Sequence, residues 1–79
     1  MYLGGNIKTF LIEFENTTDC RDNECYKVKA RNEVEALEKA REHCRSNFTV
    51  GQSVRARGGT KAERELASHF RKYCVGTIE

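Results

Sequence analysis

Residues 7–15 read IKTFLIEFE, and this stretch decides the fold. Phe10, Ile12 and Phe14 recur at every second position, which is the period of a half-buried β-strand. The other face of this strand is predicted to carry Thr9, Glu13 and Glu15, with Leu11 beside them. The pattern therefore predicts one buried face and one solvent face.

A second alternating stretch follows a polar turn. Residues 16–23 are turn formers, and residues 24–30 read ECYKVKA. Tyr26, Val28 and Ala30 are predicted to face inward, with Lys27 and Lys29 facing outward. If the two strands form a hairpin, Glu13 and Glu15 meet Lys27 and Lys29 across the solvent face. Such opposite charges would add about 0.2–1 kcal/mol per pair.

A first helix is predicted to begin after Asn32. Asn32 is a good N-cap, and Glu35 stands three residues later, as in a variant of the capping box. Val34, Leu37, Ala40 or Arg41, and Cys44 follow helical spacing on its apolar side.

A third strand is predicted over residues 48–57, ended by Gly58 and Gly59. Its inward positions are predicted to be Phe48, Val50, Val54 and Ala56. Thr60 and Glu63 then form a full capping box at the start of a second helix, and Gly76 suits its end.

The order β-β-α-β-α predicts an α+β fold in one domain, residues 1–79. We expect a small antiparallel sheet of three strands with both helices on one face. The sheet becomes mixed if the first helix acts as a crossover. The strand order stays open. The predicted core comprises Phe10, Ile12, Phe14, Tyr26, Val28, Leu37, Phe48, Val50, Val54, Leu66 and Phe70.

The composition excludes several classes of protein. The chain has 79 residues, with 14 Lys and Arg against 12 Asp and Glu, for a net charge of +2. No apolar run approaches the roughly 18 residues of a membrane span. The charge is too balanced for a disordered tail or a strongly basic coating protein. The N-terminus lacks the pattern of a secretory signal, so we expect a cytoplasmic location in the host cell and no membrane partner.

The cysteines allow several interpretations. Cys20 and Cys25 flank the predicted turn, and whether they form a disulfide or bind metal stays open. Cys44 and Cys74 are interpreted as small core residues. A zinc site from Cys20 and Cys25 with His43, Cys44, and His69 or Cys74 lacks the paired spacing of zinc modules, so we expect no metal and no cofactor.

No set of residues has the spacing of a catalytic site. Neighbours such as His43 and Cys44 diverge by about 100° on a helix, which places them poorly for a dyad. His69 and Cys74 are five residues apart and also do not share one face of a helix. We therefore expect a protein that is not an enzyme.

The charge is unevenly distributed, and residues 46–79 carry a net charge of +3. Arg55 and Arg57, together with Lys61 and Arg64, are the first candidates for a partner-binding patch that contacts phosphates. The second candidates are Glu13, Glu15, Lys27 and Lys29.

Residues 26–40 read YKVKARNEVEALEKA, a strand running into a capped helix. This segment resembles the strand-to-helix segment of small phage and mobile-element proteins, including some anti-CRISPR proteins. The resemblance covers about 20 residues and the overall size. It implies a non-enzymatic inhibitor that occupies a nucleic-acid-binding surface on a host CRISPR effector complex. Many such proteins mimic nucleic acid with acidic faces, whereas this chain is slightly basic.

The sequence therefore leaves two functions open. The first is a phage-encoded inhibitor that binds a host defence protein or ribonucleoprotein complex and blocks nucleic-acid binding or recruitment. The alternative is a small nucleic-acid-binding module that uses the basic patch on the third strand and second helix. Phosphate binding should weaken steeply with salt, whereas a protein interface should respond less.

Overall fold

The described residues form a four-stranded sheet with an α-helix on each face. The computed structural model describes residues 6–79. The elements in chain order are β1 (Lys8–Asn16), a 3-10 turn (Cys20–Asp22), β2 (Glu24–Ala30), α1 (Glu33–His43), β3 (Phe48–Arg55), α2 (Lys61–Arg71) and β4 (Cys74–Ile78). The α+β class is confirmed, as are the five predicted elements.

The prediction of only three strands is wrong, because β4 adds a fourth. Cys74–Ile78 pairs in parallel with β2, whereas β1 pairs antiparallel with both β2 and β3. The sheet is therefore mixed. Gly76 lies inside β4 and packs beside the Tyr26 ring, where an added Cβ would stand 3.4 Å from that ring. It does not end a helix, since α2 already ends at Arg71.

The two helices cover opposite faces of the sheet, so the prediction of both on one face is wrong. The strand order is β3-β1-β2-β4. α1 leads from β2 to β3, and α2 leads from β3 back across the sheet to β4. Both connections join parallel strands, and such connections are almost always right-handed. Two right-handed connections that run in opposite directions place their helices on opposite faces.

The core is accordingly divided into two clusters. One packs under α1 and includes Phe10, Ile12, Phe14, Val28, Ala36 and Ala40. The other packs under α2 and comprises Leu11, Cys25, Val54, Ala67 and Phe70. Leu11 is fully buried, although the sequence pattern placed it on a solvent face. β1 lies between two strands and is covered on both sides, so both of its faces are apolar near its centre.

A β-bulge in β3 divides that strand between the two faces. The pairing of β1 with β3 shifts between Ile12 and Phe14, so that Gly51 and Gln52 both lie opposite Glu13. As a result Val50 packs with the α1 cluster and Val54 with the α2 cluster. The prediction that these two valines share a face is wrong, because the extra residue resets the alternation.

Both predicted helix starts are confirmed. The Asn32 side chain accepts a hydrogen bond from the Glu35 N–H at 2.9 Å. Thr60 and Glu63 form a reciprocal capping box. The predicted apolar stripe of α1 is confirmed at Leu37, Ala40 and Cys44 and is wrong at Val34, which is 68% exposed. Ala36 is buried in its place.

Candidate anion-binding groove

The α2 face of the sheet is only partly covered by its helix. α1 contacts all four strands, whereas the main strand contacts of α2 are with β1 and β3. On the α2 face β2 therefore presents Lys27 and Lys29, both exposed, beyond the helix. The uncovered part of this face is cationic, as expected for strand residues that are exposed to solvent.

An open groove of about 760 Å³ occupies this uncovered part. It is bounded by the ends of β1 and β3, by β2, by β4 and by the last turn of α2. Its described lining contains no carboxylate and contains six cations, namely Lys8, Lys27, Lys29, Arg55, Arg57 and Arg71. We call this feature the basic groove. The hydroxyl-bearing residues Thr9 and Thr77 also line it.

The strand register explains why the two lysines lack acidic partners. Lys27 lies opposite Leu11 on one side and Thr77 on the other, and Lys29 lies opposite Thr9. The predicted pairing of these lysines with Glu13 and Glu15 is wrong. The hairpin register places Glu13 opposite Cys25 instead.

Ion pairs in residues 6–79 lie elsewhere. They join Arg21 to Asp19, Arg31 to Glu35 and Arg45 to Glu24, so no groove cation has a carboxylate within 4.0 Å in this range. The groove cations are therefore available to an external anion.

Arg71 projects from the last turn of α2 into the groove. Its Nη2 donates a hydrogen bond to the Ala56 carbonyl oxygen at the end of β3. This contact uses one N–H of the guanidinium, and the other N–H groups of its fork remain for a ligand. Sequence reasoning did not select Arg71 as a site residue. The available signal was a basic residue in the last helical turn.

Arg55 and Lys8 stand at the border between the basic groove and a smaller hollow of about 240 Å³ that contains Glu33 and Glu63. The pKa of the Glu63 carboxyl is lowered, first by hydrogen bonds from Thr60 and to a lesser degree by the charge of Arg55. The charge of Arg55 is thus partly balanced by Glu63. Among residues 6–79, no carboxylate lies within 4.0 Å of the Arg57 guanidinium.

The remaining candidate residues lie outside the groove. Lys61 and Arg64 occupy the first turn of α2, where the Arg64 Nη1 donates to the Gly59 carbonyl at 2.9 Å. Glu13 accepts a hydrogen bond from the Tyr73 hydroxyl at 3.5 Å, and Glu15 packs against Gly51. The structure therefore brings Arg55 and Arg57 together with Lys27 and Lys29, and it separates them from the other four candidates.

A second hollow of about 490 Å³ continues the groove along β4. It shares Lys27, Arg71 and Thr77 with the basic groove and adds Cys74, Val75 and Gly76. Ile7, which also lines the basic groove, and Val75 are 61% and 57% exposed. The cationic centre is therefore bordered by two exposed apolar side chains.

The cysteines are distributed over both faces. Cys25 and Cys74 are free thiols on the α2 side, and Cys44 is a free thiol on the α1 side. Burial raises the pKa of the Cys25 thiol to about 12, and the neighbouring Cys74 adds to this. The position of the Cys20 side chain lies outside the described part of the structure. Among residues 6–79, no three His, Cys, Asp or Glu side chains are grouped to hold a metal ion.

No helix in the described range is long and apolar enough to span a bilayer. Comparison with models of known protein families, with curated proteins and with solved structures gives no match. The basic groove is therefore the feature from which a function is inferred.

Proposed function

We propose that this protein is a non-enzymatic binding module that holds the phosphate backbone of nucleic acid in its basic groove. The observation that carries this proposal is the group of six cations, without a carboxylate, in the described groove lining. The whole chain has a net charge of only +2. Six of the 14 basic residues thus line one concave surface, which is where a polyanion gains most from positive charge.

The lining chemistry suits phosphate. Arginine offers a planar fork of donors, lysine offers a point charge, and threonine hydroxyls add neutral donors. Lys27 and Lys29 stand on the same face of β2, about 6.6 Å apart along the strand. A phosphate backbone laid along β2 can therefore contact both lysines.

The groove favours contact with the backbone over contact with bases. Its described lining contains no aromatic side chain. Tyr26 packs against Phe14 under α1, with ring centroids 4.9 Å apart, and Tyr73 packs against Phe70. Base stacking needs exposed aromatic rings, so we expect binding with little sequence preference.

A second candidate is the inhibitor that binds a host protein or ribonucleoprotein complex. The observation in its favour is the pair of exposed apolar residues, Ile7 and Val75, that border the cations. Apolar contacts beside charged groups are typical of protein interfaces. In this case the same groove would contact the RNA or an acidic protein surface of the complex.

A titration with a charge-matched control tests the nucleic-acid proposal. Binding of a fluorescent DNA duplex is measured by anisotropy for the wild-type protein at several salt concentrations. If all six cations contact phosphates, the slope of log K against log salt is about −5. The double variant Arg55→Glu with Arg57→Glu is expected to bind at least tenfold more weakly. The control, Arg41→Glu with Lys61→Glu, changes the net charge equally outside the groove and should lose far less.

Equal losses in the two double variants would contradict the groove as the binding site. A pull-down from bacterial lysate, with and without nuclease, separates the two candidate functions. Loss of all bound protein after nuclease supports the nucleic-acid module. Retention of a defined complex after nuclease, combined with no duplex binding in the titration, supports the inhibitor.

A further inference from the structure

Two thiols lie side by side between the sheet and α2. Cys25 on β2 and Cys74 on β4 are register partners in the parallel pair, and both pack in the α2 cluster. Cys25 is fully buried, whereas Cys74 is half-buried and lines the hollow that continues the basic groove. The pair therefore has one closed member and one member open to small reagents.

We propose that Cys25 and Cys74 form a reversible disulfide, whose oxidation pins the edge strand β4 to β2 beneath the basic groove. Both cysteines are free thiols in this structure. The inference concerns the two thiols themselves and holds whether or not the groove binds nucleic acid.

The backbone geometry permits this bond. Adjacent strands lie about 4.8 Å apart, and bridged cysteines have Cα atoms about 4.4–6.8 Å apart. The Cβ atoms of a disulfide must approach to about 3.8 Å, so one strand has to move slightly inward. β4 is at the edge of the sheet, and its register with β2 shifts immediately after this pair. It is therefore the strand that can make this movement.

The different burial of the two thiols sets the order of the reaction. With a small disulfide such as oxidised glutathione, the Cys74 sulfur attacks first and forms a mixed disulfide, and one glutathione thiol leaves. The Cys25 sulfur then attacks the Cys74 sulfur, and the second glutathione leaves. Two cysteine protons and two electrons pass to glutathione. Because burial raises the pKa of Cys25 to about 12, little of its thiolate is present and the second step is slow.

Cys44 is not a competing partner. It packs with the α1 cluster on the other face of the sheet, and its Sγ donates to the Phe48 carbonyl oxygen at 3.1 Å. The sheet itself separates Cys44 from Cys25 and Cys74.

The test uses the full chain with Cys20→Ser and Cys44→Ser, so that only Cys25 and Cys74 remain. After incubation with excess oxidised glutathione, the intact mass is expected to fall by two hydrogen atoms. The melting temperature is expected to rise by about 10 °C, because the bond closes a long loop of the unfolded chain. Dithiothreitol should reverse both changes.

Two further single variants identify the roles of the two thiols. Added Cys25→Ser should stop the reaction at one glutathione on Cys74, and added Cys74→Ser should leave Cys25 unmodified. Stable addition of glutathione without loss of the two hydrogens in the parent chain would overturn the proposal, as would no reaction. If the double-serine parent does not fold, peptide mapping of the oxidised wild-type chain gives the same decision, since a Cys25–Cys74 linkage supports the proposal and any other linkage contradicts it.

Discussion

The two faces of the sheet are built from the same strands, but one is fully covered by apolar residues and the other is partly cationic and open. Under α1, alternating residues of β1 and β2 form a closed apolar layer that reaches all four strands. Under α2, the apolar layer covers mainly β1 and β3, and beyond it lies the basic groove. Val28 and Lys27 are neighbours in sequence, yet one is fully buried and the other lines the groove.

This difference shows how a short chain divides its residues between stability and recognition. A domain of 79 residues has a free energy of unfolding of only about 4–12 kcal/mol. It cannot leave a broad apolar face open, but it can leave a cationic one, because lysine and arginine side chains remain hydrated. The closed face holds the sheet together, and the half-open face displays charge.

The largest expected effect tests whether both apolar layers are needed for stability. Phe10→Ala under α1 and Phe70→Ala under α2 should each lower the free energy of unfolding by about 3–5 kcal/mol, since both rings are buried. Urea denaturation measures the effect. The matched control Val34→Ala removes an exposed side chain of α1 and should change stability by less than about 0.5 kcal/mol. A much smaller loss for Phe70→Ala than for Phe10→Ala would mean that the α2 layer contributes little.

A smaller effect compares the starts of the two helices. Asn32→Ala and Thr60→Ala each remove a side-chain acceptor from an N-terminal N–H, and each should cost about 1 kcal/mol. Replacement by Gly should cost only a few tenths of this amount. Thermal melting of the four variants measures both helices. Equal losses indicate that α1 and α2 are anchored alike, despite the difference in coverage.

The contribution of the two helix starts to stability should also depend on pH, through the carboxylates of Glu35 and Glu63. The pKa of Glu35 is lowered, mainly by the hydrogen bond from the Arg31 N–H, and that of Glu63 mainly by the one from the Thr60 N–H. A lowered carboxyl pKa contributes stability above the pKa of the unfolded chain, and this stability is lost as the pH falls through the folded pKa. Stability should therefore decrease below about pH 4, and less so in Glu35→Gln and Glu63→Gln. An unchanged acid response in both variants would contradict these contacts.

The smallest effect tests whether the groove is electrostatically unfavourable for folding. Lys27→Ala with Lys29→Ala removes two like charges on one face of β2, and the lost Coulomb repulsion should raise stability by about 0.2–0.5 kcal/mol at low salt. This gain should vanish near 1 M salt, where charges are screened within about 3 Å. Arg41→Ala should have the opposite sign, because Arg41 complements the C-terminal end of α1. A salt-independent gain in the lysine variant would argue against repulsion.

Local patterns in the sequence predicted the elements, but not their arrangement across the sheet. β2 and both helix starts agree with the structure because alternation and capping are local properties. The sequence pattern does not predict β4, because Gly76 is typical of the residue that follows a helix and no turn former separates β4 from α2. The β-branched residues Val75, Thr77 and Ile78 were the available signal.

The candidate site was predictable in composition and not in position. The basic residues of β2 and β3 were selected, but their assembly depends on the strand order β3-β1-β2-β4 and on the course of α2. Leu11 offered a signal for two-sided burial, since Phe10, Leu11 and Ile12 form an unbroken apolar run. Such a run indicates a central strand covered on both faces, and hence helices on both sides.

The bulge at Gly51 and Gln52 also has a consequence for how this strand can change in length. Regular strands cannot lose one residue without turning all later side chains to the wrong face. Here Gly51 and Gln52 both lie opposite Glu13, so β3 contains one residue more than the paired part of β1. Deletion of Gln52 would close the bulge and leave Val50, Val54 and Arg55 on their present faces. An insertion into β3 would instead turn the side chains on one side of it to the opposite faces of the sheet.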